Sequence, residues 1–535
     1  MAKQGSPVKL SKIIAIVAIV VITAASLVFL YTKQKEGIVL DVVNLSKADL
    51  KTRLLVISLQ GIVNRDSPRL YVTWWNPRLK FNPSIEWLKY YKQKEWIKGW
   101  RIISIEEAIN KYKKFVKGIV VYDPEMLDTV DLAVTLSGLY DLVIAHPDYV
   151  PLLKEKGLSV KYDLRGKFRS RLKLHQWQLK NLFLYCNKSI IFLYPTDTQI
   201  YALARSCLID LAVRYRACAV NLRVDVPSEA ALFAEYLKQM KPMGILIGYP
   251  HLGSLETPTV KFISTYGIRG ILATHDAPNF SIHSQIGKKK SRYLQGFREI
   301  RKVEDKIYVA LFACDLALNS MQNFYYGLWK SENRGKIPIT WWFDPIVADF
   351  CPGIVLYYYE TRTEQDYFFA ANTYGRITPS DFKYLDELLK MCDEQLRKFD
   401  LRVLGFSDSC FNKTVLRKYA QKLTYVYGFG YGYIPSNITP NYWLEEGKPY
   451  VGLYSKAMVA GTRLALYRLL KYFADTHKER PAFLLVYLFI GDYITVDDIL
   501  WVKNRLDQEY PGVFKWVRGD EFMSAVKAYL EKSSG

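Results

Sequence analysis

Residues 337–345 read IPITWWFDP, an apolar run that ends on an acid, Asp344, between two prolines. So short a run, rich in β-branched and aromatic residues, is a buried strand rather than a helix. The same shape recurs at GILIGYP (244–250), GILATHD (270–276), IYVALFACD (307–315), YFFAANTYG (367–375), RVLGFSD (402–408), PYVGLYS (449–455) and FLLVYLFIGD (483–492). Helical patterns, such as 379–397 and 457–473, fall between some of them. Eight strands over about 290 residues predict a (β/α)8-like barrel spanning 241–535. GIVLYYYE (353–360) and LTYVYGFGYGY (423–433) read as surplus strands.

The residues that close these runs carry the chemistry. Asp276, Asp315, Asp344, Asp408 and Asp492 stand at strand ends, His275 precedes Asp276, and His251 and Glu256 follow the first strand. Parallel strands bring their C-terminal ends to one rim, where paired carboxyl groups do acid/base work. Asp315, Glu256, Asp344 and Asp276 are the candidate catalytic acids. A strand-end Asp is also a common helix N-cap, so each has a structural alternative. Trp341, Trp342, Tyr374 and Tyr431, with Asp408 and Asp492, are candidates for holding a ligand, since flat rings cover apolar faces while polar groups bind edges. Trp341 and Trp342 fit core packing equally well. His251, His275 and Asp276 form an alternative zinc set without an HxxxH pair; otherwise no metal or cofactor is expected.

Upstream, LLVISL (54–59), RLYVTW (69–74), GIVVYD (118–123), LVIAH (142–146) and SIIFLYP (189–195) read as strands, with amphipathic stretches at 85–97 and 227–240. Strand and helix at this spacing predict one or more small α/β domains over 46–240.

Residues 13–31, IIAIVAIVVITAASLVFLY, are 19 residues without a charge, enough to span a bilayer as one helix. Lys3, Lys9 and Lys12 precede it, and Lys33, Lys35 and Glu36 follow. The positive-inside rule then gives a cytoplasmic tail (1–12), an anchor (13–31), a linker (32–45) and an extracytoplasmic body in the cell membrane. Five Asn-x-Ser/Thr sequons, at Asn44, Asn187, Asn279, Asn412 and Asn437, are compatible with that side. The seven cysteines show no CxxC spacing, which argues against a structural zinc site. Of 535 residues 15% are aromatic, and the formal charge is +22. Scattered lysines without an RNP, zinc-finger or helix-turn-helix signature argue against nucleic acid, and an acidic surface is the better partner for the charge. Oligomeric state is not legible.

Several segments, taken in order, resemble the GxGYxYP family of putative glycoside hydrolases. They are LLVISLQGIVNRDSPRLYVTW (54–74), Gly248-Tyr249 with Glu256, STYG (264–267), HDAPNFS (275–281), GKIPITWWFDPIVADFCPGIVLYYYE (335–360) and DYFFAANTYG (366–375). The resemblance implies hydrolysis of a carbohydrate at the rim. Two departures stand out. The family's acidic loop after the barrel strand reads CDLALN (314–319), keeping Asp315 without a second acid. The eponymous motif falls collinearly at NTYGRITP (372–379), whereas a cleaner spelling, GFGYGYIP, comes at 428–435. A scaffold that holds polysaccharide without cleaving it is therefore the alternative, followed by a metal-dependent, deacetylase-like hydrolase.

Overall fold

The computed structural model describes residues 37–73, 79–194, 206–250, 253–272, 277–314, 318–406, 412–435, 441–453, 459–490 and 494–534. The expected anchor lies outside them, and no helix among the described residues is long and apolar enough to cross a membrane.

Three small parallel sheets precede a large one. The first joins β1 (Val39–Asn44), β2 (Leu70–Thr73) and β3 (Gly99–Ile102) in the order β2-β1-β3. The second joins β4 (Gly118–Val121), β5 (Leu142–Ala145) and β6 (Val160–Asp163) in the order β5-β4-β6. The third runs β10-β9-β7-β8, from β7 (Ile190–Leu193), β8 (Cys218–Val220), β9 (Ile245–Gly248) and β10 (Arg269–Leu272). β9 and β10, expected to open the barrel, thus belong to this third sheet instead, β10 pairing with β9 and β9 with β7. β1 lies wholly within the segment read as a linker (32–45), which is therefore the first strand of the folded body.

Two apolar runs read as strands are helices. LLVISL lies in Leu50–Val63, whose first turn is capped by Asp49 accepting from Thr52 N. Its residues from Arg53 to Val63 are all buried, and burial on every side erases the periodicity that marks a surface helix. GIVLYYYE lies in the helix Pro352–Thr361, where Pro352 occupies the first turn.

The large sheet contains β11 (Ile307–Cys314), β12 (Ile339–Phe343), β13 (Asp366–Ala370), β14 (Val403–Phe406), β15 (Gly428–Pro435), β16 (Tyr442–Glu445), β17 (Lys448–Leu453), β18 (Val459–Ala460), β19 (Ala482–Phe489) and β20 (Phe514–Val517). Their order is β16-β17-β15-β14-β13-β12-β11-β19-β18, and only β16 runs antiparallel to its neighbour. β11 is buried along its whole length. One edge pairs with β19, and the other is divided between β20 at Ile307–Ala310 and β12 at Phe312–Ala313. The sheet curls, because Tyr442 of β16 meets Phe483 of β19 edge-on at 5.5 Å. Among the described residues no ladder joins β16 to β18, so the sheet is a curled half-barrel rather than a closed cylinder of eight strands.

The C-terminal helix, Gly519–Ser534, closes one end of the concave side. Gly519 N donates to Thr340 Oγ1 at 2.7 Å, Phe522 meets Phe483 at 6.1 Å, and Met523 packs on Gly428. All three contacts lie in the first two residues of β12, β19 and β15. The N-terminal end of the strands is therefore plugged by this helix.

Candidate functional site at the strand ends

β14, β13, β12, β11 and β19 are consecutive and parallel, so Phe406, Ala370, Phe343, Cys314 and Phe489 close a single edge. In the sequence Asp315 follows Cys314 directly, Asp344 follows Phe343 directly, and Asp408 and Asp492 come within three positions of their strands. Asp276, Asp315, Asp408 and Asp492 lie outside the described residues, as do His251 and His275 of the alternative metal set. Among the described residues no cluster of three His, Cys, Asp or Glu side chains is disposed to hold a metal ion.

Asp344 caps the short turn Pro345–Asp349. Its Oδ1 accepts from Ile346 N at 3.2 Å and Gly375 N at 3.1 Å, and its Oδ2 from Asn372 Nδ2 at 3.3 Å. Burial pushes its carboxyl up to about 6, against the N–H donors that favour the anion. The loop after β13 makes this possible. Tyr374 and Gly375 both take positive φ, 69° and 100°, turning two consecutive peptides back toward the strand end.

The same loop reaches the third sheet. Arg376 exchanges backbone hydrogen bonds with Gly270 of β10, both at 2.8 Å, and its guanidinium pairs with Glu256. Arg269 donates to Tyr374 O at 3.0 Å and to Met243 O at 2.8 Å, and the Tyr374 hydroxyl donates to Asp349 at 2.6 Å. Two of the candidate acids, Asp344 and Glu256, are thus held by neighbouring residues, Gly375 and Arg376, of one loop. That loop is where the family's name-giving motif was expected by collinearity. The cleaner spelling, residues 428–435, forms β15.

The aromatic candidates divide by strand parity. Trp341 is fully buried, its indole N–H donates to Asp366 at 2.8 Å, and its ring packs against Tyr325 and Trp329. It offers no face to a ligand, which corrects its assignment as a sugar platform. Trp342 points to the opposite face, toward Phe369 and Tyr487, and is 6% exposed. Tyr374 is 8% exposed. Tyr431 belongs to β15, but its side chain is not among those described.

Two motif segments serve the interior. Asn279 Oδ1 accepts from Gln60 Nε2 at 2.7 Å and Val72 N at 2.8 Å, while its Nδ2 donates to Val72 O. Asn64 Nδ2 donates to Ser281 Oγ at 3.0 Å and to Leu70 O. Ser281 N donates to Asp210 at 2.7 Å, and burial lifts that carboxyl to about 6. His283 is wholly buried against the Tyr91 hydroxyl at 2.6 Å, and burial pushes its imidazole down to about 3. Sequence reasoning missed this junction because polar residues in recurring motifs look catalytic until their partners are seen.

The described chain is thus a mixed α/β fold in which three small parallel sheets precede a curled half-barrel sheet. Family models match in four consecutive blocks: the GxGYxYP_N 1st domain at 39–114, its second domain at 116–186, the GxGYxYP third domain at 188–285, and the "GxGYxYP putative glycoside hydrolase C-terminal domain" at 305–527. The chain belongs to the GxGYxYP family. It is similar in fold to a protein from Bacteroides thetaiotaomicron VPI-5482 described as a putative hydrolase and solved at 1.25 Å, with a TM-score of 0.75 and 19% identity over 92% of this chain and 95% of that one. No curated protein matches.

Proposed function

We propose that the chain is a membrane-anchored glycoside hydrolase that works outside the cytoplasm, cleaving surface or environmental polysaccharide with a pair of carboxyl groups at the mouth of the half-barrel. One observation carries this. The C-terminal family block coincides with a sheet on which β12, β11 and β19 are adjacent, and the sequence places Asp344, Asp315 and Asp492 within three positions of their ends. Adjacent strands lie about 4.8 Å apart. Glycosidic cleavage needs carboxyls about 5 to 5.5 Å apart for retention and about 6.5 to 9.5 Å for inversion, so neighbouring and next-neighbouring strands suit either outcome. Asp315 is the primary candidate acid. Asp344, with its proton held to about pH 6, serves as the second acid or holds the loop that shapes the mouth.

The second reading, a carbohydrate-binding protein without turnover, draws support from Asp344 and Glu256, whose carboxyls are engaged by protein donors. Incubating the chain from Gly37 onward with a panel of fluorescently labelled glycans separates the two. Hydrolysis that disappears in Asp315→Asn, with glycan binding retained, supports the enzyme. Binding without turnover in both proteins sinks it.

A further inference from the structure

Much of the +22 charge has no role at the mouth, but one part of it has a distinctive setting. The described body begins at Gly37, against which the Lys98 side chain packs, and Lys98 N donates to Ile38 O at 2.8 Å. Two residues before Lys98, the half-buried Trp96 ring fills the space beside Gly287 and Gly353, where an added Cβ would come within 3.2 and 2.8 Å of it. Gly287 leads directly into Lys288-Lys289-Lys290-Ser291-Arg292. The two basic segments also share an acid, since Glu360 pairs with Lys94 at 2.6 Å and with Lys290 at 3.9 Å. Lys92, Lys98, Lys288 and Arg292 are exposed. Just beyond, Leu294 is 62% exposed, an apolar side chain beside a basic run.

We infer that this collar around Gly37 lies on an anionic lipid surface, with Leu294 dipping into the interface. Three features favour lipid over a soluble acidic polymer. Lys98 lies against the point where residues 1–36, with their 19-residue apolar run, join the body, and the Lys288–Arg292 run is tied to the same element through Trp96 and Glu360. Basic residues beside a membrane anchor are attracted by anionic headgroups and act within a Debye length. An exposed leucine with a half-buried tryptophan gains from an interface but gains little from a hydrated polyanion. The inference builds on the proposed anchoring, so the test must tell the two apart.

The full-length chain is reconstituted with vesicles of phosphatidylcholine alone or with 30% phosphatidylserine. Carbonate extraction reports insertion, and amine-reactive footprinting reports Lys92, Lys98 and Lys288. With phosphatidylserine, labelling of these lysines is expected to slow about tenfold, and the effect to fade at high salt. K288E/K290E/R292E should abolish the protection, and Leu294→Asp should weaken it, both without altering carbonate resistance. Equal labelling in the two vesicle types overturns the inference even if the chain is inserted. Protection by a soluble acidic polysaccharide that matches the vesicles also overturns it. A chain that carbonate extracts but that still shows phosphatidylserine-dependent protection removes the anchor and keeps the surface.

Discussion

The molecule has two polar junctions, and they are built differently. At the first, Asn279 and Ser281 lock the segment before β11 to the helix Leu50–Val63 and to β2 through buried amides and hydroxyls, with one buried carboxyl, Asp210, accepting from Ser281 N. At the second, residues 372–376 join β12 to β10 through charges, with Asp344 accepting three N–H groups and Arg376 facing a Glu256 that is partly open to solvent. Neutral groups that satisfy one another tolerate full burial, whereas charges near a mouth need water or a partner. The first junction is architectural, and the ligand site proposed above lies at the second.

Asn279→Ala should have the largest effect. It removes the acceptor of Val72 N–H and of one Gln60 Nε2–H, the other keeping Leu70 O, and puts an apolar side chain at φ 67°, for a loss of roughly 4 kcal/mol by denaturant unfolding. Asn279→Gly, which relieves only the backbone, should recover about 1 kcal/mol of that. Equal losses would mean that φ contributes nothing.

Next come the two buried aspartates. Each is raised from 3.8 to about 6 on folding. A folded-state pKa above the unfolded value means that the native protein holds the proton more tightly. The associated stability is therefore complete below about pH 4 and is lost as pH rises through 6, by up to about 3 kcal/mol per group. Asp210→Asn and Asp344→Asn should each flatten the fall in unfolding free energy between pH 4 and 7. Only Asp344→Asn should also change glycan turnover or binding, and an effect of Asp210→Asn on either would erase the contrast between the junctions.

Arg376→Met with Glu256→Gln, measured as a double-mutant cycle, should give a coupling of about 1 kcal/mol, modest because Glu256 is partly solvated. Trp341→Phe should cost about 1 kcal/mol through the lost bond to Asp366 and leave glycan affinity unchanged. Weakened affinity would reinstate Trp341 at the ligand.

The sequence disclosed strands wherever an apolar run ended abruptly, as IPITWWFDP does at Asp344, because a buried parallel strand has no amphipathic pattern to obscure it. That same lack of pattern hid the helices at 50–63 and 352–361; the Asp49 cap and Pro352 were the available signals. Sheet membership was not legible. β9 and β10 look like barrel strands, but which neighbour accepts their hydrogen bonds is decided by contacts between residues far apart in the chain. At the site, strand-end position picked out Asp344, while the pairing of Glu256 with Arg376 depends on a loop geometry that no spacing rule encodes.

Asn279 also heads the triplet Asn-Phe-Ser, and its side chain has no exposed surface. In a secretory route that attaches glycans, oligosaccharyltransferase and folding would compete for one amide. A chain modified there could not bring residue 279 against Gln60 and Val72, so it would remain open and be a target for quality control. Occupancy at Asn279 in secreted material would thus be near zero, while the exposed Asn44 and Asn412 remain available, and a glycan at 279 would mark molecules that lost the race.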